Sequence, residues 1–229
     1  MTPPALFTAE TFRFLEELEA NNERAWFAAN KPRYEEHVLE PALRFIERMQ
    51  EPLARIAPHF TAIPARSGGS LMRVYRDTRF SRDKTPYKTN VGIQFRHEEG
   101  RDVHAPGYYL HLDPHRVFIA AGLWRPSSAA LAAIRAALDA RPGAWRRVRD
   151  EPAFQRRYTL GGDTLTRAPR GYPADHPLLE DLKRKDFVGV AELDREAALS
   201  AAFPRRVANA FAAATPFMRF LCRAVDVKY

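Results

Sequence analysis

Residues 66–96 read RSGGSLMRVYRDTRFSRDKTPYKTNVGIQFR. This stretch has eight basic and two acidic residues, so it carries +6 of the chain's formal net charge of +8. Its ends alternate apolar and polar residues, which predicts one strand over Ser70–Tyr75 and another over Thr89–Phe95. The connection between them, Arg76–Lys88, has no helical period and contains Pro86. Connections this long in compact domains tend to be functional or mobile.

The connection has the residue types of an anion-binding site. Charges this dense must face solvent or a negative partner, because burying each unpaired one would cost several kcal/mol. Asp77 and Asp83 are expected to pair with arginines and hold the guanidinium groups in a fixed direction. If the protein is an enzyme, Asp77, Asp83 and His111 are the candidates for general acid–base work. The predicted ligand-binding residues are Arg73, Arg76, Arg79, Lys84, Tyr87, Lys88, Arg167 and Arg170.

Aromatic residues lie among these cations, and two interpretations of them stay open. Tyr75, Phe80 and Tyr87 would suit stacking against a base or ring of a ligand. Alternatively, Phe80 and Tyr87 anchor the loop in the core. The charges have a similar alternative, because a structural ion-pair network also gathers charge in one place.

Three stretches of the chain resemble a known family. The phrase Arg73–Thr89, with the pattern RxxRDxRFSxDKTPYKT, resembles the hallmark of an uncharacterised family of bacterial and fungal proteins, known as a domain of unknown function. The segment Phe14–Phe27, with its Asn21-Asn22 pair, and Leu165–Pro177 are also similar to that family. Because the three stretches cover most of the chain, the resemblance implies a single domain over residues 1–229. It implies no substrate and no catalytic residue.

Composition is that of a globular protein. The chain has 229 residues, of which 45% are hydrophobic and 11% aromatic, and it has no apolar run near the roughly 20 residues that cross a bilayer. The first residues lack the pattern of a signal peptide, so we expect a cytoplasmic protein. The single cysteine, Cys222, is expected to be a buried small residue. The basic pI alone is weak evidence for nucleic acid, whereas the clustering of charge indicates an anionic partner.

The order of the predicted elements favours an α+β fold, with N-terminal helices, a central and mostly antiparallel sheet, and C-terminal helices packed on it. The alternating segments 107–112 and 117–122 predict a hairpin that turns at 113–116. The sequence predicts a helix over 9–20 capped by Thr8 and a second helix capped by the Asn21-Asn22 pair. Pro41 should kink the helix that contains it or divide it. The later expectations are helices over 127–140 and 142–149, a short strand at 187–190, and a last helix over 204–225 bent at Pro216.

His111, Asp113 and His115 repeat at a spacing of two, which is also a spacing of metal ligands on a strand. Pro114 stands at the turn and no further ligand set is present, so the sequence predicts no metal site here. His111 is instead expected on the sheet face near the basic loop, where its ordinary pKa near neutrality would suit a proton carrier.

These features lead to one functional hypothesis and one alternative. The hypothesis is a basic cleft that binds a phosphate-bearing ligand, either a nucleotide or a nucleic acid, with phosphoester hydrolysis or transfer as the first reaction to test. The alternative is a non-enzymatic interaction module in which the Arg/Asp loop is a structural ion-pair network. The sequence identifies no cofactor.

Overall fold

The computed structural model describes residues 4–79, 81–100 and 104–229, and its first part is helical. Thr8 stands at the N-cap of the first helix, as predicted. The prediction that Asn22 caps the second helix is wrong, because Glu23 occupies that position and the Asn22 side chain has a different partner. The segments in order are α1 (Ala9–Ala20), α2 (Arg24–Ala29), α3 (Lys31–Tyr34), a π-helical turn (Glu35–Leu39) and α4 (Glu40–Ile56).

Pro41 shapes the junction between the π-helical turn and α4. Because proline has no amide hydrogen, it cannot donate to the carbonyl of His37, four residues earlier. The hydroxyl of Thr11 in α1 donates to that carbonyl instead, over 2.7 Å. The predicted disturbance of the helix at Pro41 therefore takes the form of a π-helical turn. Thr11 of α1 gives the His37 carbonyl the hydrogen bond that Pro41 cannot donate.

A five-stranded antiparallel sheet follows, with the strand order β1-β2-β3-β5-β4. The predicted hairpin is confirmed as β2 and β3. The strand predicted at 187–190 is longer than expected and lies inside the sheet, and β4 was not predicted. The bounds are β1 (Val91–Arg96), β2 (Gly107–Leu112), β3 (Val117–Leu123), β4 (Thr159–Gly161) and β5 (Phe187–Leu193).

The strand predicted at Ser70–Tyr75 is present only as isolated bridges, Leu71 to Ile93 and Tyr75 to Tyr87. The backbone still runs antiparallel to β1, since the Met72 amide donates to the Gly92 carbonyl over 2.9 Å. The pairing register shifts by two residues between the two bridges, and the bend at residues 89–90 takes up the difference. This interruption is why no continuous strand forms.

The C-terminal part is mostly helical. The prediction of one bent helix over 204–225 is wrong, because the helix divides in two near Ala214. Pro216 has no amide hydrogen, so it cannot continue the hydrogen-bond ladder of the first helix. It lies instead in the first turn of the second helix, where the backbone amides have no partner within the helix. The helices are α5 (Ser128–Ala140), α6 (Pro142–Arg149), α7 (Pro152–Gln155), α8 (Leu179–Leu182), α9 (Arg195–Ala198), α10 (Phe203–Ala213) and α11 (Thr215–Ala224).

Helices cover one face of the sheet, as the α+β prediction requires. Ile93, Leu110, Ile119 and Phe187 alternate onto that face and are fully buried in one connected core. None of the described helices is long and apolar enough to cross a lipid bilayer. The second face of the sheet has a different character, because its residues line an open groove.

Candidate functional site

The basic loop, which we define as residues 76–88, is held by its own carboxylates. Nη1 of Arg76 donates to Oδ2 of Asp83 over 2.5 Å and to the hydroxyl of Thr85 over 2.6 Å. Arg79 makes the predicted bidentate contact with Asp77, through Nε at 3.0 Å and Nη2 at 2.7 Å. These ion pairs fix the path of the loop. They also neutralise part of the positive charge that was predicted to bind a ligand.

These pairs change what the two aspartates can do. Hydrogen bonds from Arg79 lower the pKa of Asp77 to about 2. Hydrogen bonds from Thr85, and then from Arg76, also lower the pKa of Asp83. Both carboxylates are thus ionised and already paired near neutral pH, which makes them weak proton acceptors for a ligand.

Tyr87 anchors the loop to the N-terminal helices. Its side chain is 6% exposed and stacks on Phe27, with ring centroids 4.1 Å apart. The Asn22 side chain accepts from the Tyr87 amide and donates to the Tyr87 carbonyl, both over 3.0 Å. These contacts agree with the interpretation that Tyr87 anchors the loop in the core. Phe80, for which the same choice was open, lies outside the described residues.

A shallow loop cleft of about 510 Å³ lies between the α1–α2 turn and the basic loop. In it, Lys84 Nζ donates to the carbonyl of Thr78 over 2.8 Å. The exposed Arg167 and Arg170 follow β4, which is the sheet edge opposite β1. Four strand spacings, roughly 19 Å, separate the two edges, and Arg167 and Arg170 are not among the residues that line the loop cleft. The residues that line the loop cleft include Arg24, Tyr75, Arg76, Thr78, Lys84 and Tyr87.

The larger of these two concavities is on the second face of the sheet, opposite the core, and we call it the sheet-face groove. It has a volume of about 570 Å³, which is within the range of small-molecule sites. The strand register places three rows across this face. From one end to the other, the rows are Gly92, His111, Phe118 and Glu192; then Gln94, Tyr109, Ala120, Val190 and Thr159; then Arg96, Gly107, Gly122, Val188 and Gly161.

Small residues make the groove concave. Gly107, Gly122 and Gly161 fall in one row, and Ala120 lies in the row beside it. At Gly122, where φ is +137°, a Cβ atom would lie 2.0 Å from the Phe187 carbonyl oxygen. No side chain larger than hydrogen fits there. Aromatic side chains of Tyr109, Phe118 and Trp124 stand around the small ones.

Lys88 is the cation of the basic stretch that lines this groove. It is partly buried and makes no ion pair with any carboxylate among the residues that the structure describes. Burial, and then the charge of Arg73, lower the pKa of Lys88. Arg116 also lines the groove, but it is paired with Glu192 at 2.5 Å and lies over the Phe118 ring. Of the two cations that line the groove among the described residues, Lys88 is therefore the one without a carboxylate partner.

A chain of hydrogen bonds connects Tyr109, His111 and Asp113. The Tyr109 hydroxyl is 2.9 Å from Nδ1 of His111, and Nε2 of His111 is 2.8 Å from Oδ2 of Asp113. Burial lowers the pKa of His111, against the opposing effect of Asp113, and burial raises the pKa of Tyr109 to about 12. His111 is on the sheet face, as predicted, and its hydrogen-bond partners Tyr109, Asp113 and Asn90 lie outside the basic loop.

The third member of the spacing-two pattern has a separate partner. His115 Nε2 lies 3.0 Å from Oε2 of Glu19, away from the His111–Asp113 pair. Within the part of the chain that the structure describes, no group of three or more His, Cys, Asp or Glu side chains is placed to hold a metal ion.

The other end of the groove is held by a buried carboxylate. Asp186, 3% exposed, accepts from the Arg125 amide over 2.6 Å and from the Asp163 amide over 2.8 Å. Arg125 has a φ of +48°, which non-glycine residues rarely adopt, so Asp186 stabilises a strained turn. The turn presents Trp124, 48% exposed, at the mouth of the groove.

Comparison with known proteins identifies the family. The model of the family described as "Conserved hypothetical protein (DUF2461)" matches residues 10–220. The chain belongs to this family. No match was found in the search of curated proteins or in the search of solved structures. The DUF2461 assignment confirms the resemblance to an uncharacterised family. The function is argued from the loop cleft and the sheet-face groove.

Among the residues that sequence reasoning missed, Tyr109 and Asn22 matter most. Tyr109 has the same parity as His111 and Asp113 along the strand, so extending that pattern by one step towards the N-terminus would have found it. Asn22 was assigned to a helix cap, because nothing local in the sequence indicates a partner 65 residues away.

Proposed function

We propose that this protein binds a small phosphate-bearing ligand with an apolar or aromatic ring, and that the sheet-face groove is its site. The observation that carries the proposal is Lys88, a partly buried lysine without a carboxylate partner among the described residues, at the wall of an apolar groove of about 570 Å³. A buried cation in apolar surroundings loses hydration, and an incoming anion restores the lost stabilisation.

The chemistry of the lining supports a ligand with two parts. The ring of such a ligand would rest on the floor formed by the Gly and Ala positions, beside Tyr109 and Phe118. Its phosphate would meet Lys88, with the exposed Arg73 near enough to influence the Lys88 pKa. Of the ligand-binding residues proposed from the sequence, this assignment retains Arg73 and Lys88 and gives Arg76 and Arg79 the structural role of the alternative hypothesis.

The competing position for the same ligand is the loop cleft, and two lysines distinguish the sites. Lys88 lines the groove and Lys84 lines the cleft. The variants Lys88→Met and Lys84→Met each remove one positive charge from the same 31-residue stretch, so long-range electrostatics change equally. A difference between them therefore reports the location of the site.

The test is a thermal-shift screen of phosphate monoesters with and without rings, including phenyl phosphate, nucleoside monophosphates and inorganic phosphate. We expect ring-bearing phosphates to raise the melting temperature of the wild type and of Lys84→Met, because a ligand that binds the native state stabilises it. The shift should be lost in Lys88→Met. Loss in Lys84→Met alone would place the site in the loop cleft and refute the proposal.

The nucleic-acid alternative predicts a different result. An oligonucleotide bound through several phosphates would show an affinity that falls steeply with salt, since each neutralised phosphate releases counterions. If single-stranded DNA or RNA binds with such a slope while mononucleotides and phenyl phosphate do not, the small-ligand proposal is wrong.

A further inference from the structure

We propose that Tyr109, His111 and Asp113 form a proton relay that opens into the sheet-face groove, with Tyr109 as the group that takes a proton from a hydroxyl or water held there. The identity of what is deprotonated depends on the proposed function. The relay itself is a property of the described residues and can be tested without any phosphate ligand.

The geometry fixes the tautomer of His111. A carboxylate only accepts hydrogen bonds, so the imidazole nitrogen that faces Asp113 at 2.8 Å, Nε2, must carry a proton. In the neutral ring Nδ1 is then an acceptor, and it faces two donors, the Tyr109 hydroxyl at 2.9 Å and the Asn90 amide at 3.4 Å. The hydroxyl proton of Tyr109 is thus directed at a base that a carboxylate orients from behind.

The surroundings of the relay indicate a position built for it. Residues 109, 111 and 113 alternate onto the same face, so one strand and its turn provide all three groups. Gly92, directly across from His111, leaves room for the hydroxyl, because a Cβ atom at that position would lie 2.9 Å from the Tyr109 oxygen. Arg116 and Glu192 are the other charged groups that act on His111, and they pair with each other.

The proposed step conserves protons and charge. A hydroxyl or water in the groove gives its proton to the Tyr109 oxygen, while the Tyr109 proton moves to Nδ1 of His111. The deprotonated oxygen of the ligand or water becomes the nucleophile, Tyr109 remains neutral, and the new imidazolium is stabilised by the Asp113 carboxylate. Tyr109 is the catalytic residue in this proposal, His111 is the base behind it, and Asp113 is a positioning residue.

Asp113→Asn is the informative substitution, because the turn determines which way the new amide points. Oδ1 of Asp113 accepts from the amides of His115 and Arg116 at 2.7 and 2.8 Å. The asparagine oxygen can keep both bonds, which leaves its NH₂ group facing Nε2 of His111. Nε2 must then accept, and the proton moves to Nδ1. The substitution should preserve the turn and reverse the tautomer.

Two measurements test the relay. Long-range ¹H–¹⁵N NMR spectra near neutral pH should show His111 protonated at Nε2 in the wild type and at Nδ1 in Asp113→Asn. Reaction with benzenesulfonyl fluoride should label Tyr109, forming the O–S bond as fluoride leaves and the phenol proton passes to His111. The labelling rate should fall at least roughly tenfold in Asp113→Asn, while labelling of the exposed Tyr75 in the same molecule stays unchanged.

The outcomes separate this inference from the proposed function. Wild-type His111 protonated at Nδ1, or a Tyr109 labelling rate that is equal in wild type and Asp113→Asn, would refute the relay even if phenyl phosphate binds. The expected tautomers and rates would support the relay even if the phosphate screen fails. Tyr109→Phe and His111→Gln, which lack the hydroxyl and the base respectively, are the controls that confirm the labelled peptide and its dependence on His111.

Discussion

The attachment of the basic loop through Asn22 gives a sharp prediction, because the adjacent Asn21 is a matched control. Asn22→Ala removes two hydrogen bonds of 3.0 Å to the Tyr87 backbone. Asn21→Ala removes one exposed hydrogen bond of 2.9 Å to the Glu17 carbonyl. The two substitutions are chemically identical and one residue apart, and only the Asn22 side chain bonds to the basic loop. A difference between the two variants therefore reports the contact with the loop.

The expected magnitude follows from these bonds. Each lost bond contributes about 1 kcal/mol, and leaving the Tyr87 amide and carbonyl short of partners adds about 1 kcal/mol more. We therefore expect Asn22→Ala to lower the free energy of unfolding by about 3 kcal/mol, which is roughly 6–12 °C in melting temperature for a chain of this size. Asn21→Ala should cost about 0.5 kcal/mol.

Urea unfolding followed by circular dichroism gives both free energies. Limited trypsin digestion adds a local measurement, since the basic loop contains cleavage sites at Arg79, Arg82 and Lys84. Cleavage there should be much faster in Asn22→Ala than in Asn21→Ala. If the two variants have equal stability and equal digestion rates, the Asn22 contact does not hold the loop and the reasoning fails.

Three further predictions concern the groove and the loop. The pKa of His111 is lowered in the folded state, so the unfolded chain binds a proton at His111 more readily, and the folded state loses stability as the pH falls below about 6.5. Urea unfolding should therefore show the stability difference between wild type and His111→Gln shifting in favour of His111→Gln between pH 7.5 and 5.5. A difference that stays constant with pH would contradict this. Asp186→Ala leaves two backbone amides without their acceptor and should lower the free energy of unfolding by about 3 kcal/mol or more. The control Asp163→Ala keeps the backbone amide of residue 163, and its free energy of unfolding should stay within about 0.5 kcal/mol of the wild type. Equal losses in the two variants would show that Asp186 does not hold the turn. Arg76→Ala should lower the melting temperature and leave the response to phenyl phosphate unchanged, and loss of that response would return a ligand role to Arg76.

The sequence predicted the elements with a strong local pattern. Alternation identified β2 and β3 with their turn. The helical period after Ser127 and Ser128, either of which could cap a helix, identified α5, and its N-cap is Ser127. Pro216 illustrates a limit, because a proline that bends a helix and one that begins the next helix have the same local pattern. Ser70–Tyr75 illustrates another, since its alternation is that of a strand and the shifted register that interrupts it depends on the partner.

The site was predicted less well for a physical reason. The local clustering of charge was visible, and Asp77 and Asp83 were expected to pair with arginines, but charge density does not reveal which cations are already neutralised. The groove depends on strand register, which places Gly107 beside Gly122 in one row, with Gly161 beyond Val188 in the same row, although the three glycines are far apart in sequence. Only the folded sheet shows that Lys88 borders an apolar surface.

The most direct test of the central claim is a structure of the protein with phenyl phosphate bound. We expect the ring on the floor of the sheet-face groove near Ala120, and the phosphate within hydrogen-bonding distance of Lys88 Nζ. A phosphate held in the loop cleft by Lys84 and Arg24, with the groove unchanged, would contradict it.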